Sequence, residues 1–192
     1  MKIFLTIIPF LTLVTWNNGL HAQIEKQLLH PSWQFRKAGT NETFMQATVP
    51  GTVHTDLLSA GKIPDPYYRD HEKQLQWIGE ADWLYRTTFK VNKTLLNKKH
   101  LELVFEGLDT YAEVLLNGEN IISANNMFHP WRVDVTKLIK EDNTIEVYFR
   151  SAKTITDSLA KSTLPHVIPD NPRVHARKAQ YHFGWDWGPT YI

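Results

Sequence analysis

The stretch YAEVLLNGENII, residues 111–122, places Asn117-Gly118 between two apolar runs. A two-residue hairpin turn that follows the natural twist of its strands needs positive φ at both central positions, and asparagine followed by glycine meets that need at the lowest steric cost. The stretch therefore predicts a β-hairpin over 111–122. Its neighbours carry the same signature. DWLYRTTFKV (82–91), HLELVFEGL (100–108) and NTIEVYFRS (143–151) alternate apolar and polar residues and are rich in aromatic and β-branched types, as half-buried strands are.

Helical signals are few. TVHTDLLSAG (52–61) holds about two turns, with a polar start and a glycine stop. Residues 151–164 read either as a short helix or as part of a long excursion after the preceding strand. PHVIPDNPRVHARKAQ (165–180) contains three prolines and no apolar period, which predicts a long loop. Loops of that length in a compact domain are either functional or disordered. Many strands, few helices and hairpin turns predict an all-β fold, an antiparallel jelly-roll β-sandwich.

Composition narrows the partners. The chain has 192 residues, 42% of them hydrophobic and 21% charged, enough for one ordinary domain with a real core. Lys and Arg number 21 against 20 Asp and Glu, so the net charge is +1. That balance carries no electrostatic footprint for nucleic acid or an anionic membrane. With no cysteine, thiolate metal sites and cysteine catalysis are ruled out. No cofactor is expected.

At the amino terminus Met1-Lys2 precedes IFLTIIPFLTLV, an apolar run over 3–14. It is too short to span a bilayer, which takes about 20 residues, and fits the apolar region of a secretory signal peptide. Residues 1–22 are read as that signal, cleaved between Ala22 and Gln23, with the sandwich over 23–192. The expected location is outside the cytoplasm, periplasmic or extracellular. Two sequons, Asn41-Glu42-Thr43 and Asn92-Lys93-Thr94, matter only in a host that glycosylates.

YHFGWDWGP, residues 181–189, sets Trp185 and Trp187 around Asp186 between two glycines. Flat aromatic rings can stack on the C–H faces of a sugar while one carboxylate accepts from two neighbouring hydroxyls. The same residues could equally be two core tryptophans and a turn-capping aspartate. The residues alone leave both readings open.

Other candidates are weaker. Glu80 and Asp82, two positions apart, would point the same way on a strand, and nothing there supplies the perturbed environment of a catalytic pair. His166, His175 and His182 lack the spacing and the carboxylates of a metal site, so no metal is expected. Arg173, Arg177 and Lys178 fit a role in positioning the nearby loop through hydrogen bonds rather than in binding an anionic substrate.

Four stretches, residues 49–89 (VPGTVHTDLLSAGKIPDPYYRDHEKQLQWIGEADWLYRTTF), FEGLDTYAEVLLNGENI (105–121), NMFHPWRVDVT (126–136) and RKAQYHFGWDWGP (177–189), together resemble the amino-terminal domain of β-mannosidases of glycoside hydrolase family 2. The likeness runs in order from about Trp33 to Pro189. It implies a jelly-roll sandwich packed against a later (β/α)₈ barrel. It also implies that Trp185, Asp186 and Trp187 reach the pocket for the terminal mannose, where Asp186 holds sugar hydroxyls. By the same resemblance the acid/base and nucleophile are two glutamates on the barrel, working by retaining double displacement. One more strand would follow Pro189 to close the sandwich. The chain is thus expected to be a fragment, inactive alone, of an exo-acting enzyme that removes terminal β-D-mannose from β-mannosides or manno-oligosaccharides. Two alternatives stay open: a freestanding carbohydrate-binding module, and a family 2 enzyme acting on another sugar, such as a β-glucosaminidase or β-galactosidase.

Overall fold

The computed structural model describes residues 24–29, 32–162, 165, 169, 172–186 and 188–192. The signal segment, His166 and Trp187 lie outside the described residues. Among the described residues eight strands carry the fold: β1 (Trp33–Lys37), β2 (Met45–Ala47), β3 (Trp83–Lys90), β4 (Glu102–Phe105), β5 (Tyr111–Leu116), β6 (Glu119–Asn125), β7 (Trp131–Asp134) and β8 (Asp142–Arg150). Among the described residues six of them form one sheet, in the order β2-β1-β3-β8-β5-β6, while β4 pairs with β7 in a second. The ladders are antiparallel.

The hairpin predicted from Asn117-Gly118 joins β5 to β6, with φ of 53° at Asn117 and 88° at Gly118. Asn117 does more than turn the chain. Its Nδ2 donates to the Leu138 carbonyl and to Asn143 Oδ1, and its Oδ1 accepts from the Thr144 backbone N–H at 3.0 Å. These bonds tie the hairpin tip to the start of β8.

Alternation along each strand builds the core. Trp83, Tyr85 and Phe89 on β3, Ala112, Val114 and Leu116 on β5, and Ile145 and Val147 on β8 are buried. Register lines them up: Met45, Phe35, Tyr85, Val147, Val114 and Ile122 are successive cross-strand partners, one from each of the six strands. Leu103 of β4 is buried in the same core, and Val133 of β7 packs against it. This is the jelly-roll sandwich that the strand pattern predicted.

Among the described residues five α-helices decorate it: α1 (Val53–Ser59), α2 (His71–Gln74), α3 (Trp77–Glu80), α4 (Lys93–Leu96) and α5 (Ala152–Ser162). The Thr52 hydroxyl caps α1 by accepting from the Thr55 N–H, and the Thr55 hydroxyl closes the box. Asp56 of α1 is buried, accepting from the Thr48 N–H and from the Tyr85 hydroxyl at 3.0 Å. That contact seats α1 on the core face of the sheet. The segment left open at 151–164 is helical over 152–162, because the Ser151 hydroxyl accepts from the Thr154 N–H and Thr156 is fully buried.

Glu80 and Asp82 do not share a strand. Glu80 ends α3 and pairs with Lys153 at 3.2 Å, whereas Asp82 accepts from the Tyr148 hydroxyl and the Ser151 N–H. Asp82 is structural: it stitches the start of β3 to the end of β8.

Candidate sugar-binding loop and cavity

A cavity of about 1190 Å³ opens on the core face of the six-stranded sheet, against Trp83, Tyr85, Val147 and Phe149. His54 of α1, Asp109 of the β4–β5 link and Lys178, Trp185 and Tyr191 of the carboxy-terminal segment also line it. The lining is mainly apolar, and among its polar groups Thr110, Lys178 and His182 stand around Asp109.

The carboxy-terminal segment reaches the cavity through a series of tethers. The Tyr111 hydroxyl donates to the His175 carbonyl, and the Met127 N–H donates to the Arg177 carbonyl at 3.0 Å. Arg173–His175 and Gln180–Phe183 each form one 3-10 turn. Gly184 then takes φ of 111°, and a Cβ there would stand 2.9 Å from Thr190 Oγ1. The position thus requires glycine twice over, for its conformation and for its space.

Beyond it the loop closes on itself, with the Gly188 N–H donating to the Trp185 carbonyl at 3.2 Å. Trp185 is 58% exposed and forms part of the cavity wall. Asp186 is exposed, outside the cavity lining, and its carboxylate makes no hydrogen bond or ion pair among the described residues. The core reading of Trp185 and the turn-cap reading of Asp186 therefore do not match their surroundings. Past the loop the chain is pinned again. The Thr190 N–H donates to Glu72 Oε1, the Thr190 carbonyl accepts from Gln76 Nε2, and the Tyr191 ring lies 4.9 Å from that of His54.

Of the basic residues noted in the sequence, Lys178 has the clearest role. Its side chain is only 7% exposed and donates to Asp109 Oδ2 at 2.6 Å. Sequence reasoning quoted Asp109 within FEGLD but gave it no role, since its partner stands 69 residues away. His54 and Asp56 were missed for the same reason. Among the described residues no group of three His, Asp or Glu side chains is placed to hold a metal ion.

Burial, reinforced by the charge of Lys178, holds the His54 imidazole down to about 4, and the same two causes lower His182 against the opposing pull of Asp109. In the unfolded chain a histidine titrates near 6.5. Between those values the unfolded state binds more protons, so the contribution to stability is present above about pH 6.5 and fades as pH falls toward 4. Unfolding by urea at pH 7 and at pH 4.5 is expected to show a drop whose His54 share is on the order of 2 kcal/mol after allowance for partial exposure. His54→Phe, which keeps a ring against Tyr191, is expected to flatten that dependence; an unchanged slope would remove His54 from the account.

The comparisons with known proteins agree with this architecture. Residues 33–192 match the family described as glycosyl hydrolase 2 galactose-binding domain-like. β-Mannosidase B of Thermothelomyces thermophilus is 40% identical over 171 residues, covering 85% of this chain and 20% of that protein. The β-mannosidase of Mus musculus is 37% identical over 173 residues, with 85% and 20% covered. The crystal structure of a β-D-mannosidase from Dictyoglomus thermophilum superimposes with a TM-score of 0.77 at 41% identity, over 83% of this chain and 20% of that one. The chain thus spans about a fifth of the length of the curated relatives it matches. A sandwich of this topology, with its match from the first strand to the last residue, makes the chain a member of the glycosyl hydrolase 2 galactose-binding-like domain family.

Proposed function

We propose that this domain is the amino-terminal part of an exo-acting β-mannosidase that removes terminal non-reducing β-D-mannose. In this reading Trp185, Asp186 and Trp187 belong to the subsite for that sugar. The observation that carries it is an exposed Asp186, without a hydrogen bond or ion pair among the described residues, beside an exposed Trp185 at a cavity wall. A free carboxylate next to an aromatic face has the chemistry to accept from two vicinal hydroxyls while a ring packs on the sugar's C–H face. Identity of about 40% to proteins named β-mannosidases favours mannose over other sugars.

The bond-breaking chemistry is assigned to another part of the enzyme. Two carboxylates about 5–5.5 Å apart are needed for retaining hydrolysis, and they are placed on a catalytic barrel that packs against this domain. Here the domain's task is to hold the terminal ring in a fixed orientation, which lowers the entropic part of the barrier. Manno-oligosaccharides are the proposed natural substrates, and residues 1–22 are proposed to direct export to the periplasm or the extracellular space.

The test is a substrate profile of the complete enzyme on p-nitrophenyl β-D-mannoside, β-D-galactoside, β-D-glucoside and N-acetyl-β-D-glucosaminide. The β-mannoside is expected to lead by at least about two orders of magnitude in kcat/KM. Preference for another sugar would assign the domain to a different family 2 enzyme. Absence of hydrolysis together with retained mannoside binding would favour a carbohydrate-binding module.

A further inference from the structure

We infer that Asp109 is the positioning residue of the Trp185–Asp186 loop, an assignment that rests on the sugar-subsite reading above. Asp109 sits on the link between β4 and β5, outside the loop it acts on. One of its oxygens, Oδ2, accepts from Lys178 Nζ at 2.6 Å and faces His182 Nδ1 at 3.8 Å. The other, Oδ1, accepts from the hydroxyl of Thr110. One carboxylate therefore gathers two side chains of the segment that leads into the loop.

The pattern of tethers explains why this point matters. Upstream, the Met127 N–H donates to the Arg177 carbonyl, and the Ala179 N–H donates to the Met127 Sδ. Downstream, Glu72 and Gln76 hold Thr190. From Gln180 to Pro189, the His182–Asp109 approach is the polar contact, among the described residues, that joins the segment to another part of the domain. His182 Nδ1 is buried and has no hydrogen-bond partner among the described residues, and it stands just outside bonding range of the carboxylate. Contacts of that kind tighten when a ligand settles a loop.

Lys178 supplies the rigidity. Its ammonium is nearly buried and Asp109 is its ion-pair partner, so the pair resists being pulled apart far more than a surface bridge does. The pair fixes Asp109, and Asp109 in turn fixes the direction from which His182 carries the chain into Gly184 and Trp185.

A double-mutant cycle in the complete enzyme tests the assignment, with Asp109→Asn, Asp186→Ala and the combination. If Asp109 acts through the loop, Asp109→Asn lowers kcat/KM for p-nitrophenyl β-D-mannoside by about tenfold when Asp186 is present and by less than about twofold when it is absent. The loss of melting temperature is expected to be the same in both backgrounds, since that part is structural. Equal activity losses in the two backgrounds would overturn the assignment while leaving the subsite reading intact. An Asp186→Ala enzyme with unchanged kcat/KM would overturn both. Should Asp109→Asn fail to fold, His182→Phe, which leaves the Lys178 pair in place, is expected to show the same non-additivity, and additive losses there would again overturn the assignment.

Discussion

Replacing Asp186 by alanine in the complete enzyme is expected to lower kcat/KM for p-nitrophenyl β-D-mannoside by about a hundredfold, a loss of roughly 2.7 kcal/mol of transition-state stabilisation. The size follows from what a carboxylate can do in the proposed subsite. Hydrogen bonds to a charged group contribute about 1.5–3 kcal/mol each, and one carboxylate can accept from two vicinal hydroxyls. The structure makes this substitution clean. Asp186 is exposed and has no partner among the described residues, so its removal leaves no buried donor stranded. Stability should change by less than about 0.5 kcal/mol, and a loss of activity cannot then be assigned to misfolding. Steady-state kinetics and a thermal melt of the same preparation check the two statements together. Unchanged kinetics would mean that the loop is a surface feature with no part in substrate binding.

The largest stability effect is expected in the core. Phe35 on β1 is fully buried, with its ring centroid 5.4 Å from that of Tyr85 and 5.9 Å from that of Trp83. It stands in the row of cross-strand partners that crosses all six strands of the large sheet. Phe35→Ala removes the transfer free energy of a phenyl ring and leaves a cavity between two large, fixed aromatics, for a cost of about 3–5 kcal/mol. In a domain whose total stability is about 5–15 kcal/mol that is a large share. Melting is expected to fall by roughly 10 °C, as followed by circular dichroism. Phe35→Leu, which keeps most of the volume, should cost less than half as much. A small effect of the alanine substitution would mean that the sandwich collapses around the void, which the aromatic row argues against.

How much of this was legible in the sequence depended on range. The β5–β6 hairpin was readable because Asn117-Gly118 is a local instruction: the two residues that must take positive φ are the two that tolerate it. Strands β3, β4 and β8 were readable because their alternation extends over four to nine residues. Strands β1 and β2 were not singled out, since five and three residues carry too little period to separate from loop, and the pairing of β1 with β3 and of β2 with β1 is what makes them strands. Residues 152–162 stayed ambiguous because Thr154, Ile155 and Thr156 weaken helix propensity, and the helix is settled by the Ser151 cap and the burial of Thr156.

The site divides in the same way. Trp185, Asp186 and Trp187 could be picked out as a cluster because they are adjacent, yet the residues alone could not choose between core and surface. That choice depends on where the chain folds back, through Arg177 onto the β6 end and through Thr190 onto α2. Asp109 and His54 gave no local signal at all, because their importance comes from partners 69 and 137 positions away, Lys178 and Tyr191.

The central claim is that this domain lends Asp186 to the subsite for a terminal mannose. It is tested most directly by a crystal structure of the complete enzyme with a mannose-configured inhibitor bound. The account predicts an Asp186 carboxylate oxygen within about 2.5–3.0 Å of at least one ring hydroxyl, with Trp185 at the wall of the same pocket. An inhibitor seated with Asp186 well beyond hydrogen-bond reach, and with no aromatic contact from this loop, would contradict it.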